Sequence, residues 1–423
     1  MCSVILSALF VITGGCGTEK KPNTLDVSED ITNDVDLNED NYEKVVMANN
    51  KLAFKMLEEI ETDENGNSFI SPLSLYTALS MVYNGTDGIT KEEMAKVLQA
   101  EGIDIHEFNQ ANASLLKILN KDSNDIELKI ANSIWLNKRY HFQADFSKHN
   151  QDYFNAKIEE IDVSNRESAR MINDWVKQAT NEKITDIVND GPLNTDLVTL
   201  LINAIYFHGD WMFEFDKALT TEGSFYVKDK VTENVQFMSL SEELLYMEDD
   251  ELQAVILPYG NGEMSMKVLL PKENSDLKKL EQRLMNGDWS SINKEFRERE
   301  GTIVLPKFKL EYEIKLNDML VNLGMGTAFD SEKANFSKMI IGDDPIWIDE
   351  VKQRTYIDVN EEGTEAAGVT SIALLIETAI INEDEPFYME VNRPFFIMIT
   401  DDETDAILFI GSITNPWGQS PIQ

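Results

Sequence analysis

The side chains that most often perform covalent or metal chemistry are few in this sequence and lie far apart. The 423 residues contain two cysteines, Cys2 and Cys16, both close to the start. The four histidines show no HExxH-like spacing; they are His106, His141, His149 and His208. No GxSxG, P-loop or GxGxxG motif is present. The sequence therefore predicts no catalytic residues, no metal site and no cofactor, and its body cannot contain a disulfide framework.

Acidic residues dominate the composition, with 76 Asp+Glu against 37 Lys+Arg and a net charge of −39. At this abundance, acidic runs such as residues 249–251 and 401–403 are interpreted as solvated turns rather than acid/base pairs. The acid excess argues against nucleic acid as a partner and against electrostatic docking on anionic lipid. Because 42% of the residues are hydrophobic, the chain can bury a large core, which excludes global disorder.

The first residues predict the localisation of the protein. Residues 4–12 form an apolar run that is too short to span a membrane, which takes about 20 residues, and is typical of a secretory signal. Small residues then precede Cys16, which resembles a lipoprotein signal in which that cysteine is lipidated. Thr13 and the lack of a basic residue before the run depart from this pattern, so an ordinary signal peptide is the alternative. We expect residues 1–16 to be a signal and the protein to be extracellular, at the cell surface if Cys16 is lipidated.

Residues 17–44 are polar and acidic without apolar periodicity, which predicts a disordered tether. Residues 34–38 resemble the start of a calcium loop, but Glu39 replaces the required Gly and Val45 the required Glu, so calcium is not expected. No Pro/Gly-rich linker interrupts the remaining sequence. We therefore expect residues 45–418 to form one α+β domain.

Hydrophobic periodicity and turn residues divide this domain into elements. Ser71 followed by Pro72 is typical of a helix start, and Thr90 with Glu93 has the pattern of a capping box. The nearly unbroken apolar run of residues 197–207 predicts a strand buried on both faces. Further helices are predicted at residues 45–60, 166–180 and 314–323, and further strands at residues 126–136, 303–310, 388–399 and 406–413.

Residues 361–382 have an unusual composition, being small at first and apolar later. If they form a strand, one set of alternate positions from Thr364 to Ile376 is small or apolar throughout, whereas the other set carries Glu365 and Glu377. Such a strand has one face that can be buried in a sheet. Because Ala and Glu are good helix formers, a helix is the alternative.

This segment resembles the hinge and reactive-centre loop of the serpins, inhibitors of serine and sometimes cysteine proteases. The resemblance covers about residues 46–417. Other blocks occur in the family's order, which makes the resemblance specific; they are residues 67–75, 83–90, 172–184, 201–211, 305–308, 391–396 and 407–416.

The resemblance implies a fold of three β-sheets and about nine helices with an exposed reactive-centre loop at about residues 361–386. It implies a monomer that is not an enzyme and whose partner is a target protease. The protease would cleave the loop and be trapped as a covalent acyl-enzyme while the loop inserts into the central sheet as a new strand. The alternative is a non-inhibitory serpin that acts as a cleavable substrate or a binding module.

Site residues carry over position by position from the resemblance. The hinge comprises Glu361, Gly363, Thr364, Glu365, Ala366, Ala367 and Gly368. The shutter and breach, where the central strands part, comprise Ser71, Ser74, Asn203, Trp211 and Gln353. Gln353 and Arg354 stand where the family often has His-Lys, so we expect altered opening kinetics and lost pH sensitivity.

The family's usual spacing places the scissile bond between Glu377 and Thr378, which predicts a glutamate-preferring protease or an elastase-like enzyme. Because the loop is about six residues longer than is common in the family, the bond can lie elsewhere within residues 375–381, which favours elastase-like, chymotrypsin-like or subtilisin-like targets. No Lys or Arg lies between Glu361 and Asn392, so trypsin-like targets are not expected.

Overall fold

The apolar run predicted to be a doubly buried strand lies in the middle of a six-stranded sheet. The computed structural model describes residues 42–120, 125–227, 230–364 and 385–416, and in it the run belongs to β4 (Thr199–Asp210). One face of β4 packs into the main core through residues such as Leu201 and Phe207. The other face, including Leu200 and Ile202, packs under a second apolar cluster. The prediction for this strand is confirmed.

The candidate functional site lies in this central sheet. Across the sheet the order is β10, β11, β12, β4, β2 and β3. The bounds are β10 (Phe308–Lys315), β11 (Glu350–Val359), β12 (Gly363–Thr364), β2 (Ile126–Asn137) and β3 (Lys157–Ile161). β2 runs antiparallel to β4, and β11 runs parallel to it.

The remaining strands form a nine-stranded ladder in which β6 (Lys230–Glu248) joins two parts. Residues 245–248 of β6 pair with one part and residues 230–246 with the other, which accounts for the second and third sheets that were expected. The first part is β1 (Ser68–Ile70), β15 (Ile407–Ile413), β14 (Phe395–Asp401), β8 (Met264–Pro271) and β7 (Leu252–Tyr259). The second is β9 (Arg297–Pro306), β13 (Phe387–Glu390) and β5 (Thr221–Val227).

Nine α-helices occur in the described ranges, so the expected α+β fold is confirmed. They are α1 (Glu43–Glu59), α2 (Pro72–Tyr83), α3 (Gly88–Val97), α4 (Ile105–Leu119), α5 (Ala144–Phe154), α6 (Arg166–Ala179), α7 (Leu277–Met285), α8 (Trp289–Lys294) and α9 (Asn317–Leu320). All residues of α2 are buried, and this helix contacts β2, β4 and β15. It begins as predicted, because the Ser71 side chain accepts a hydrogen bond from the Ser74 N–H at 3.2 Å.

Several predicted boundaries were wrong for local reasons. Asp87, not Thr90, caps α3, and the Thr90 hydroxyl instead accepts a hydrogen bond from the Asn335 N–H. The strand predicted at residues 303–310 is the end of β9 and the start of β10, which lie in different sheets and meet at Pro306. The strand predicted at residues 388–399 divides into β13 and β14 before Phe395, because Pro394 has no N–H for a ladder. The helix predicted at residues 314–323 begins later, at Asn317, because β10 extends to Lys315; α9 then continues as a π-helical turn at Val321–Met325.

Candidate functional site at the parting of the central strands

The central sheet is open between its two middle strands. β4 and β11 pair directly only from Leu200 opposite Glu350 to Ala204 opposite Arg354. Beyond this point no pairing joins the two strands within the described residues. At the far end, β12 fills the space, since Thr364 pairs with Gly209 of β4 and Val359 of β11.

The opening is in register for a single additional strand. Partners across the direct ladder differ by 354 − 204 = 150, and the two residues flanking Thr364 differ by 359 − 209 = 150. β12 is antiparallel to both neighbours. The register of β4 and β11 is therefore the same on both sides of the opening, and β12 runs toward the opening.

Backbone contacts fix the start of β12 against the loop that follows β4. The Trp211 N–H donates to the Glu362 carbonyl and the Phe215 N–H to the Glu361 carbonyl, both at 2.9 Å. A Cβ on Gly363 would lie 2.2 Å from the Gly209 carbonyl oxygen, so only glycine fits there.

An ion pair holds the Glu361 side chain, which is 7% exposed. Lys307 donates to this carboxylate at 2.6 Å, and the Thr220 hydroxyl donates to it at 2.7 Å. Partial burial alone would raise the pKa of Glu361, but the hydrogen bonds from Lys307 and Thr220 outweigh burial, and the pKa lies below its ordinary value. Glu361 is therefore charged near neutral pH. The neighbouring Glu362 forms a more exposed ion pair with Lys217.

Aromatic residues line the inner side of the hinge. Trp211 stacks on Tyr259 with ring centroids 4.4 Å apart, and its indole N–H donates to the Asn360 carbonyl at 2.9 Å. The Tyr259 and Thr364 hydroxyls share a hydrogen bond of 2.6 Å in a fully buried position. Burial raises the pKa of Tyr259, while the hydrogen bond with Thr364 lowers it, and burial prevails. This phenol therefore stays neutral at all physiological pH values.

A buried polar network lies below the opening, where β4 and β11 are still paired. Gln353 accepts from the Ser71 N–H and donates to the Ser71 carbonyl, both at 2.9 Å, and it donates to the Asn203 side chain at 2.6 Å. Asn203 donates to the Ser74 carbonyl and to Asn132. These groups tie both central strands to the start of α2. The Ser74 hydroxyl is buried there without a hydrogen-bond partner in the described structure.

On the outer face, Arg354 links β11 to the segment that crosses the sheet between α6 and β4. Its guanidinium donates to the Asp186 backbone carbonyl and lies 3.0 Å from the Asp186 carboxylate. It also contacts Glu311 and Glu313 on β10. Arg354 therefore fastens the covering segment at the last residue pair below the opening.

The structure brings together the predicted residues that it describes. Trp211, Glu361, Gly363 and Thr364 lie at the top of the opening, and the shutter residues Ser71, Ser74, Asn203 and Gln353 lie at its lower end. Glu365, Ala366, Ala367, Gly368 and the bond between Glu377 and Thr378 lie outside the described residues, as do Cys16 and most of the tether.

Sequence reasoning missed the groups that hold these residues in place, namely Asn132, Thr220, Tyr259 and Lys307. Each of these residues is separated from its partner by 54 to 141 positions in the sequence, so no local sequence pattern predicts the contact. The only sequence signal is a polar residue in an apolar strand, as for Asn132.

The described residues contain no group of three or more potential metal ligands. None of the described helices is both long enough and apolar enough to cross a membrane.

Comparison with known proteins gives a consistent answer. A family model described as "Serpin (serine protease inhibitor)" matches residues 47–416. An uncharacterized serpin-like protein of Thermococcus kodakarensis is 33% identical, and the alignment covers 98% of each chain. The crystal structure of the thermophilic serpin tengpin in its native state has a TM-score of 0.79 and 32% identity over 88% of this chain and 94% of that one. Thyroxine-binding globulin in complex with thyroxine shares the fold with a TM-score of 0.76 at 23% identity over 89% of this chain and 99% of that one.

The family match spans most of the chain. The chain therefore belongs to the serpin family, whose members are generally protease inhibitors.

Proposed function

We propose that this protein inhibits serine-type endopeptidases, with cysteine-type ones as an additional target class, as a suicide substrate. A protease cleaves the reactive-centre loop, and the freed strand inserts between β4 and β11 before the acyl-enzyme can hydrolyse. The observation that carries the proposal is the single-strand opening with Thr364 already paired on both sides.

The register of the opening assigns every inserted residue a place. If the chain continues antiparallel from Thr364, Ala366 comes to lie between Phe207 and Ile357, and each later residue moves one step down both strands. Residues 365–368 fill the space that is already open. From residue 369 onwards, insertion must part the direct ladder of β4 and β11.

Side-chain direction supports this register. Thr364 is 1% exposed and faces the core with Val359, so Ala366, Gly368 and Thr370 would face the core as well in an inserted strand. The opposing positions on β4 and β11 are at most 3% exposed; they are Phe207, Ile357, Ile205 and Thr355. Small inward side chains can pass such neighbours without strain. Proline or a charged side chain at these positions would oppose insertion, and the sequence has neither.

Thr370 reaches the buried polar network in the same register. It would lie between Asn203 and Gln353, which now bond to each other at 2.6 Å, and near the unpartnered Ser74 hydroxyl. A threonine hydroxyl can replace part of the bond that parting the strands breaks. The network therefore accepts the new strand without leaving buried groups unsatisfied.

Insertion of the cleaved loop would supply the free energy for trapping the protease. Residues 363–374 span about 40 Å as a strand at ~3.3 Å per residue, so a protease attached near residue 377 would be carried along the length of the sheet. The inserted strand would form a hydrogen-bond ladder with β4 on one side and with β11 on the other, and it would replace the short direct ladder between them. Each net hydrogen bond contributes ~0.5–1.5 kcal/mol. Because the uncleaved form lacks these bonds, a kinetic barrier rather than equilibrium holds it.

For the target we propose an elastase-like, subtilisin-like or glutamate-preferring protease that cuts within residues 375–381, with Glu377–Thr378 as the first candidate. For the location we propose export through residues 1–16 and anchoring through a lipid on Cys16, with residues 17–44 as the tether and a monomeric inhibitory domain.

Incubation with a panel of these proteases tests the proposal. We expect a covalent complex that survives SDS, and mass spectrometry of the released C-terminal fragment will identify the cleaved bond. Clean loop cleavage with no complex would refute inhibition and favour a non-inhibitory member that serves as a substrate or binding module.

A further inference from the structure

Two histidines that lie 43 positions apart in the sequence meet on the surface between α4 and α5. The ring centroids of His106 and His149 are 5.8 Å apart, and the ring planes are nearly perpendicular, at 89°. His106 lies in the first turn of α4, whose Asp104 cap accepts a hydrogen bond from the His106 N–H. His149 lies in the middle of α5. Both side chains therefore project from regular helices that pack against each other.

The two rings are available to a ligand. His106 is exposed and His149 is partly exposed, and neither ring has a hydrogen bond or ion pair within the described part of the chain. The other two histidines differ in this respect. His141 lies 2.9 Å from Glu160, and His208 lies 3.6 Å from Asp210.

The separation suits a shared metal ion. A metal–nitrogen bond of ~2.1 Å places the ion ~3.2 Å from an imidazole centre, so two rings on one ion have centroids roughly 4.5–6.4 Å apart, depending on the angle at the metal. The observed 5.8 Å lies in this range. The centroid separation is therefore compatible with one nitrogen of each ring binding the same ion.

We propose that His106 and His149 bind one divalent transition-metal ion, with water in the remaining coordination positions. Imidazole ligands suit Zn²⁺ and Cu²⁺, and Cu²⁺ binds more tightly according to the general order of metal affinities. The net charge of −39 attracts cations to the surface. The bound ion links α4 to α5. Since α5 leads directly into β3, the edge strand of the central sheet, the link reaches the sheet that must open.

Titration of the full-length protein with Zn²⁺ tests the proposal, after alkylation of Cys2 and Cys16 so that thiolates cannot bind the metal. We expect one Zn²⁺ per chain, at least ~10-fold weaker binding in His106→Ala and in His149→Ala, and unchanged binding in His141→Ala, the matched exposed histidine. With Cu²⁺, the electron paramagnetic resonance spectrum should show coupling to two imidazole nitrogens, falling to one in either variant. Zn²⁺ at 100 times its Kd should raise the folded-to-unfolded ratio about 100-fold in the wild type.

The proposal is overturned if wild-type protein binds no Zn²⁺, if the His106 and His149 variants bind as the wild type does, or if His141→Ala weakens binding equally. A Cu²⁺ spectrum with a single coupled nitrogen would also overturn it. These outcomes do not depend on protease inhibition, which each variant can be tested for separately.

Discussion

Replacing Ala366 by arginine should convert the protein from an inhibitor into a substrate. In the inserted strand, the register set by Thr364 would put residue 366 between Phe207 and Ile357, which are 3% and 1% exposed. An arginine there would enter the core without a carboxylate partner. The intact protein should fold normally, because the change affects only the inserted state.

The size of the effect follows from the cost of burying a charge. The effective penalty for an unpaired ion in a protein interior is several kcal/mol. With about 4 kcal/mol added to the barrier, insertion past residue 366 slows by roughly three orders of magnitude, since each 1.4 kcal/mol is tenfold. Hydrolysis of the acyl-enzyme then precedes trapping.

The assay is the number of inhibitor molecules consumed per protease inactivated, together with the SDS-stable complex. Glu365→Arg is the matched control, because in the inserted strand residue 365 would face the outer side beside Asp358, and the natural residue there is itself charged. We expect Ala366→Arg to be cleaved without forming complex and Glu365→Arg to remain inhibitory. Undiminished complex formation by Ala366→Arg would refute the register and the inward direction of this residue.

Further variants probe the groups around the opening. Glu361→Gln should lower the free energy of unfolding at pH 7 by ~1–2 kcal/mol, measured in urea, because it removes the ion pair with Lys307. Since folding lowers the pKa of Glu361 below its ordinary 4.5, this difference should be full above pH 4.5 and vanish as the pH falls below it; a constant difference down to pH 2 would contradict the assignment. Gln353→Leu should cost ~2–4 kcal/mol in the same assay by leaving buried partners unsatisfied, and an unchanged urea midpoint would argue against a structural network. Arg354→Met should speed the change to the inserted form after cleavage by about two- to fivefold, followed by tryptophan fluorescence, because it releases Asp186; an unchanged rate would show that the covering segment does not limit insertion.

The features that could be predicted from the sequence are those with a local physical cause. Ser71 caps α2 because a Ser-Pro pair is pre-organised for a helix start. The apolar run of β4 is buried on both faces because one face packs into the main core and the other packs under the second apolar cluster. For residues 361–382 the sequence left a strand and a helix open as alternatives, and the described part, which ends at Thr364, contains the short strand β12. Thr90 was misassigned because Thr90 and Glu93 match a capping box in sequence but bond to Asn335 and Thr327 instead, and Asp87 is the residue that caps α3.

What could not be predicted depends on long-range pairing. Lys307 with Glu361, Tyr259 with Thr364 and Asn132 with Asn203 meet only after the sheets have formed. These residues do not stand out from their neighbours in the sequence, so no local pattern marks them as contact residues. His106 and His149 likewise show no ligand spacing in the sequence, and only the packing of α4 on α5 brings them together.

The position of the hinge depends on both local and distant causes. Gly363 is required because a Cβ would clash with the Gly209 carbonyl oxygen, which no sequence pattern reveals. The family resemblance supplied that position, and the structure supplies its physical reason.

Thermal unfolding of the protein before and after loop cleavage tests the central claim most directly, since it asks whether the severed strand joins the sheet that β4 and β11 leave open. With a new ladder on both sides, gaining about 10 kcal/mol or more, we expect the cleaved protein to unfold at a temperature higher by about 10 °C or more. A cleaved protein that unfolds at or below the temperature of the intact one would contradict insertion, and with it the proposed trapping mechanism.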